Sequence, residues 1–123
     1  QINGNSLTST GTITNGTWSH IVLVKSGTLM NIYIDNNAET PATAPATAYT
    51  GTENLEIGRQ TGGANYLAGS IDEVAVLDKA LSADKIQQIY DATAVVGGVP
   101  QTANLFTGGL SSSLVYWNRM GDS

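Results

Sequence analysis

Asp72 and Glu73 stand side by side at the head of an apolar stretch, Ile71-Asp72-Glu73-Val74-Ala75-Val76-Leu77, and paired carboxylates are an apparatus for general acid and base chemistry. On a strand, neighbouring side chains point to opposite faces, so these two cannot form a catalytic pair by themselves. His20 is the single histidine and there is no cysteine, which leaves His20 without a partner for a zinc site or for activating a serine. It reads as a hydrogen-bonded structural histidine. A third chemistry is sugar recognition, where aromatic faces stack on sugar rings and amides fix their orientation. Tyr49, Arg59, Gln60, Asn65 and Tyr66 are its candidates, against the plainer reading of ordinary loop polarity with Tyr66 at the edge of the core. Asn15-Gly16-Thr17 fits a glycosylation pattern, but in a tight turn the reading preferred is that it serves the turn.

Composition narrows the partners. The 123 residues suffice for one domain or pieces of two, and a hydrophobic share of 41% is enough for a packed core. Charged residues make up 12%, so Thr, Ser, Asn and Gly must supply much of the surface. With five Lys and Arg against ten Asp and Glu, the net charge of -5 excludes the basic stripe that nucleic-acid binding needs. No apolar run approaches the roughly 18 residues that span a bilayer, so no membrane partner is expected. Gln1 opens no signal peptide: either the chain is not secreted by that route or its first residues are missing. The absence of cysteine excludes a disulfide framework and is neutral between compartments.

The elements that must position these residues emerge from periodicity. Gln1 to Leu7 alternates weakly and Gly11 to Thr14 reads as the start of a strand, with Asn15-Gly16 turning the chain. Trp18 to Val24 places Trp18, His20, Val22 and Val24 on one face and Ile21 and Leu23 on the other; with both faces apolar it reads as a central strand, and Trp18 as core. Lys25 to Thr28 turns into a second strand, Leu29 to Asp35, ended by Asp35-Asn36-Asn37. Glu39 to Thr50, with Pro41 and Pro45, reads as an extended exposed loop. Asn54 to Gly58 and Ile71 to Leu77 read as strands, the latter from its β-branched content. Ser82 is placed to cap a helix by accepting from the amides of Asp84 or Lys85, with Ile86, Ile89 and Tyr90 as the buried stripe. Residues 93–112, rich in glycine, read as a linker or arm, and 113–123 as a last strand.

Several of these motifs occur in an order that carries a resemblance. Gly16-Thr17-Trp18-Ser19-His20-Ile21-Val22-Leu23-Val24, Asn31-Ile32-Tyr33-Ile34-Asp35, Leu55-Glu56-Ile57-Gly58, Gly69-Ser70-Ile71-Asp72-Glu73-Val74 and Lys79-Ala80-Leu81-Ser82-Ala83-Asp84-Lys85-Ile86 resemble the C-terminal half of a laminin-G-like, concanavalin-A-like domain over residues 1–92. The resemblance implies an all-β fold, an antiparallel β-sandwich of the jelly-roll kind, with one short C-terminal α-helix. The closing Leu114-Val115-Tyr116-Trp117-Asn118-Arg119-Met120-Gly121-Asp122 is similar to the opening strand of such a domain, so Leu114, Tyr116, Trp117 and Met120 are the candidate interaction strand. Three arrangements suit an end followed by a beginning. The chain is an excerpt spanning two repeats, or its last strand completes its own domain, or that strand completes a neighbouring subunit.

The resemblance also sets functional expectations. Glycanases with a similar jelly roll carry carboxylates in a Glu-x-Asp-x-x-Glu pattern, which does not occur here, so no catalytic residue is expected. Relatives of this fold bind calcium through carboxylate and carbonyl oxygens, which makes Asp35, Asn36, Asn37, Asp72 and Glu73 the oxygen-rich candidates. Against that stands a simpler role, with Asp72 accepting from loop amides and Glu73 solvated or locally paired. The expectation is a non-catalytic structural or recognition module of a virion or large surface assembly, with neighbouring copies or a glycan as partner. The alternatives are a carbohydrate-binding adhesion module of a secreted bacterial protein and an accessory domain of a glycoside hydrolase. The compartment implied is the virion, the extracellular space or the cell surface.

Overall fold

A computed structural model describes residues 7–43, 55–59, 65–93, 101, 103–106 and 109–120. Its strands are β1 (Ile21–Ser26), β2 (Leu29–Ile34), β3 (Asn37–Ala38), β4 (Ala42–Thr43), β5 (Val74–Leu77) and β6 (Leu114–Asn118), with a helix α1 (Ala83–Ala92) between β5 and β6. All pairings are antiparallel: β2 pairs with β1, β3 and β4 in one sheet, and β5 pairs with β6 in another. Antiparallel strands with one short helix are the organisation of a concanavalin-A-like β-sandwich.

Two hairpins set the register of the first sheet. Ile21-Val22-Leu23-Val24 favours the pleated surface through its branched side chains, and Ser26 pairs with Leu29 across the two-residue turn Gly27-Thr28. Gly27 takes φ 57°, which glycine adopts without steric cost. The second turn, Asp35-Asn36, joins Ile34 to its partner Asn37, and both residues lie at positive φ, 49° and 64°. Asp and Asn tolerate that region better than other side-chain-bearing residues, so their presence here serves the turn.

Several strands are shorter than the sequence periodicity indicates. β1 begins at Ile21, after a turn that leaves Trp18 39% exposed instead of in the core. Val22 and Val24 are half-buried as expected, whereas Leu23 on the other face is 74% exposed, so no described residue covers that side as it would in a central strand. Residues 11–14 form no strand: the Glu39 carboxylate draws in the backbone amides of Thr10 and Gly11, each at 2.8 Å, and this tether replaces ladder pairing. Pro41 precedes β4 without interrupting it, so part of the stretch read as a loop adds to the sheet edge. The described part of the stretch read as a strand from Asn54 to Gly58, residues 55–58, forms no strand; Gly58 at φ 80° turns the chain, and Arg59 after it makes an isolated bridge with Tyr66.

β5 starts at Val74 because Glu73 sits at φ 52° with its amide donating to the Asp72 carboxylate at 2.8 Å. Asp72 and Glu73 therefore precede the strand, and the alternation of faces does not govern them. α1 keeps closely to the sequence pattern. The Ser82 hydroxyl accepts from Lys85 N at 3.4 Å, Asp84 lies in the first turn and Ile86 is fully buried, with Ile89 and Tyr90 half-buried beside it. The Thr93 amide closes the last turn on the carbonyls of Ile89 and Tyr90.

Burial is concentrated between α1 and the β5–β6 pair. Ala103, Leu105 and Leu110 are buried, and Ala75, Leu77, Leu81, Ile89, Leu114 and Trp117 pack against them. Apolar side chains from the glycine-rich stretch thus fill the space under α1, and Met30 and Ile34 are the buried residues of the first sheet. Ile86, the fully buried side chain of α1, tests the seating of the helix. Ile86→Ala should cost about 2–5 kcal/mol by combining lost burial with a cavity, lowering the thermal midpoint by on the order of 10 °C, as read by circular dichroism.

Candidate functional site

The segment 103–106 and strand β6 flank an open surface depression of about 850 Å3. Its walls are built from the core outwards. Trp117 packs against the buried cluster, donates from Nε1 to Glu73 Oε2 at 2.7 Å and meets Phe106 edge-on with ring centres 5.2 Å apart. Arg119 lies over the indole, 5.4 Å from the ring centre, and its Nε donates to Glu73 Oε1 at 3.4 Å. Cation–π attraction and the shared carboxylate fix the guanidinium relative to the ring. Phe106 is held from its backbone, whose amide donates to Asn104 Oδ1 at 3.0 Å, and its side chain is 64% exposed. Tyr116 occupies the other side of β6, half-exposed, with its hydroxyl accepting from Asn118 Nδ2 at 3.0 Å.

The candidates named from sequence are dispersed by comparison. Tyr49 and Gln60 lie outside the described residues. Arg59 and Tyr66 are brought together by their bridge, with Asn65 alongside and Tyr66 68% exposed. The Arg59 guanidinium is bonded to the Glu56 carboxylate, whose hydrogen bond and charge raise its pKa above the ordinary arginine value. Of the interaction-strand candidates, Leu114 and Trp117 pack on the core, while Tyr116 and Met120 stay exposed. A bulge between the pairs Val76–Tyr116 and Leu77–Leu114 places Leu114 and Trp117 together on the core despite their odd spacing.

The oxygen-rich residues occupy separate turns. Asp35 Oδ1 accepts from His20 N at 2.8 Å while Asp35 N donates to His20 O at 2.9 Å, a reciprocal clamp at the mouth of the first hairpin. Asn36 completes that turn, and the Asn37 amide donates to the carbonyls of Ile34 and Asp35. Asp72 accepts from the Glu73 amide, and Glu73 holds Trp117 and Arg119. Among the described residues no three His, Asp or Glu side chains gather as a metal-binding group, and no helix is long and apolar enough to cross a membrane.

Phe106 and Asn104 escaped the sequence reading because the surrounding glycines mark the segment as a linker. Leu105-Phe106 is nonetheless an apolar pair, and Phe106 is the only phenylalanine in the chain.

Residues 1–87 match the concanavalin A-like lectin/glucanases superfamily in its laminin G form, and the chain belongs to this family. A solved structure, that of an S-layer domain-containing protein (residues 221–444) from Clostridium thermocellum ATCC 27405, is 30% identical to it, with a TM-score of 0.54. The likeness covers 68% of this chain and 44% of that one, so the chain spans less than half the length of its structural relative. No curated protein matches the chain.

Two measurements test the bonds that organise this region. Glu73→Ala removes the acceptor of both Trp117 and Arg119 and should cost about 1–3 kcal/mol, whereas Glu73→Gln, which keeps an oxygen for the indole, should cost less; urea unfolding compares them. His20 is half-buried, and desolvation holds its pKa below the ordinary 6.5, opposed by the Asp35 charge. The unfolded chain therefore binds the proton more readily, so the contribution of neutral His20 is complete above pH 6.5 and is lost as pH falls from there through the folded pKa. The stability of the wild type should decline below pH 6.5 more steeply than that of His20→Gln, by melting across pH.

Proposed function

We propose that this chain is a non-catalytic recognition module of an extracellular or cell-surface protein, and that it builds or decorates a large surface assembly. The observation that carries the reading is how four of the described carboxylates, Asp35, Glu39, Glu56 and Glu73, are used. Asp35 clamps the His20 backbone, Glu39 gathers Thr10 and Gly11, Glu56 binds Arg59, and Glu73 fixes Trp117 and Arg119. Each engages a structural partner, whereas glycoside hydrolysis needs two carboxylates facing one another across the scissile bond.

The surface setting has two supports. The solved relative is an S-layer domain-containing protein, and the surface of this chain is low in charge and rich in Thr, Asn and Gly. A bacterial surface coat accords with both. A virion decoration or fibre module accords with the second alone. Family membership and the aromatic depression beside β6 favour a glycan as the recognised partner, while exposed Val115, Tyr116 and Met120 offer a face to neighbouring copies.

Incubated with isolated bacterial cell walls, the purified chain should sediment with them and release no reducing ends. Release of reducing sugar would overturn the non-catalytic reading, and a protein that stays in the supernatant at every wall concentration would overturn surface recognition.

A further inference from the structure

We propose that Asn15-Gly16 is a self-modifying site: its turn leaves the Asn15 carboxamide open to attack by the Gly16 backbone nitrogen, so that in the folded protein Asn15 converts to a mixture of aspartate and isoaspartate. The site is independent of the recognition reading above. Its co-reactant is water.

The reaction closes a five-membered ring. The Gly16 nitrogen, on losing its proton to hydroxide or a buffer base, bonds to Asn15 Cγ, and the carboxamide nitrogen takes up a proton and leaves as ammonia. Water then opens the cyclic imide. Cleavage between the Gly16 nitrogen and Cγ restores the main chain and leaves aspartate. Cleavage between that nitrogen and the Asn15 backbone carbonyl carbon leaves the chain running through Cγ, as isoaspartate.

Three observations favour this chemistry here. Residues 15–18 are exposed, and Gly16 stands at the turn because its φ of 80° suits a residue without a side chain. The same lack of a side chain leaves its nitrogen unshielded. A Cβ built at Gly16 would meet nothing within 4 Å, so water and base have a clear approach. Lastly, the bonds that close the turn bypass the reacting pair. The Thr17 amide and hydroxyl both donate to the Thr14 carbonyl, at 3.3 and 2.8 Å, whereas neither the Asn15 carboxamide nor the Gly16 amide is hydrogen-bonded to a described residue.

The turn at Asp35-Asn36 is the contrast. There the Asn37 carboxamide donates to the carbonyls of Ile34 and Asp35, and the next residue, Ala38, carries a methyl group. Every other described asparagine also precedes a residue with a side chain. The second Asn-Gly pair of the chain, Asn3-Gly4, lies outside the described residues. Conversion at Asn15 adds a negative charge to a chain already at -5. The isoaspartate form also inserts a carbon into the main chain between the Thr14 carbonyl and the Thr17 amide, lengthening the loop that their bond closes.

The purified chain, held at neutral and at mildly alkaline pH, is digested and mapped by tandem mass spectrometry, with an isoaspartyl-directed carboxyl methyltransferase as the probe for isoaspartate. Asn15 should convert faster than Asn31, Asn36, Asn37, Asn65, Asn104 and Asn118, faster still at the higher pH, and with methyl-accepting isoaspartate among its products. Its rate in the folded chain should stay within about tenfold of the rate in guanidinium, since an exposed turn costs little to open. An Asn15 that stays intact or is outpaced by any of those asparagines, a rate that does not rise with pH, a product free of isoaspartate, or a slowing on folding beyond that factor would each overturn the proposal. None of these outcomes bears on whether the chain sediments with cell walls.

Discussion

The pairing of β6 with β5 is the constraint on which the described structure most depends. Val74 and Asn118 are partners in that ladder, and the chain between them holds α1 and the buried residues Ala103, Leu105 and Leu110. Closing so long a loop carries an entropic cost that ladder bonds over four or five residues offset only with help. The help comes from apolar burial beneath α1 and from the clip between Trp117 and Glu73, which spans the two strands near their shared end. Once β6 is seated, Leu114 and Trp117 cover the buried cluster, and the surface left beside them becomes the depression.

Acidic residues hold the remaining turns in the same fashion, by accepting from backbone amides. Asp35 fixes the entry to β1 against the exit of β2, and Glu39 ties residues 10 and 11 to the edge of the first sheet. Hydrogen bonds to a carboxylate are stronger than those between neutral groups, so one side chain can replace a missing run of ladder bonds. The Glu39 carboxyl is accordingly held below its ordinary pKa by the Gly11 amide first and by Thr10 next. Protonating Glu39 weakens that tether, so its contribution is present above the ordinary carboxylate pKa and is lost as pH falls through the depressed one.

Local chemistry was legible and long-range consequence was not. The cap at Ser82, the stripe through Ile86 and the tight turn at Asp35-Asn36 can all be read from residues a few positions apart, because propensity and hydrogen-bond reach act over that distance. The start of β5 could not be, since Ile71-Asp72-Glu73 is as strand-like as Val74 to Leu77 and only the positive φ of Glu73 sets the boundary. Trp18 misled for a related reason: its hydrophobicity favours the core, but the strand that would carry it inwards begins three residues later. The candidate site was the least legible part. Its aromatic floor joins Phe106, from a glycine-rich stretch, to Trp117 on β6, and no local pattern links the two.

The charge balance of the chain explains why recognition would be built in this way. With five cations among 123 residues, and two of the described ones already matched to Glu56 and Glu73, long-range attraction of an anionic partner is not available to this surface. Affinity is left to contact area on exposed aromatics and to short-range hydrogen bonding, both insensitive to salt. Those terms reward a ligand only if the aromatic is already oriented, which is what the Glu73, Trp117 and Phe106 chain of contacts accomplishes. Thus the bond that seats β6 also holds the indole against which Phe106 rests, and stability of the strand and order of the aromatic pair become one property. A loss at Glu73 should therefore loosen that pair before it unfolds the domain.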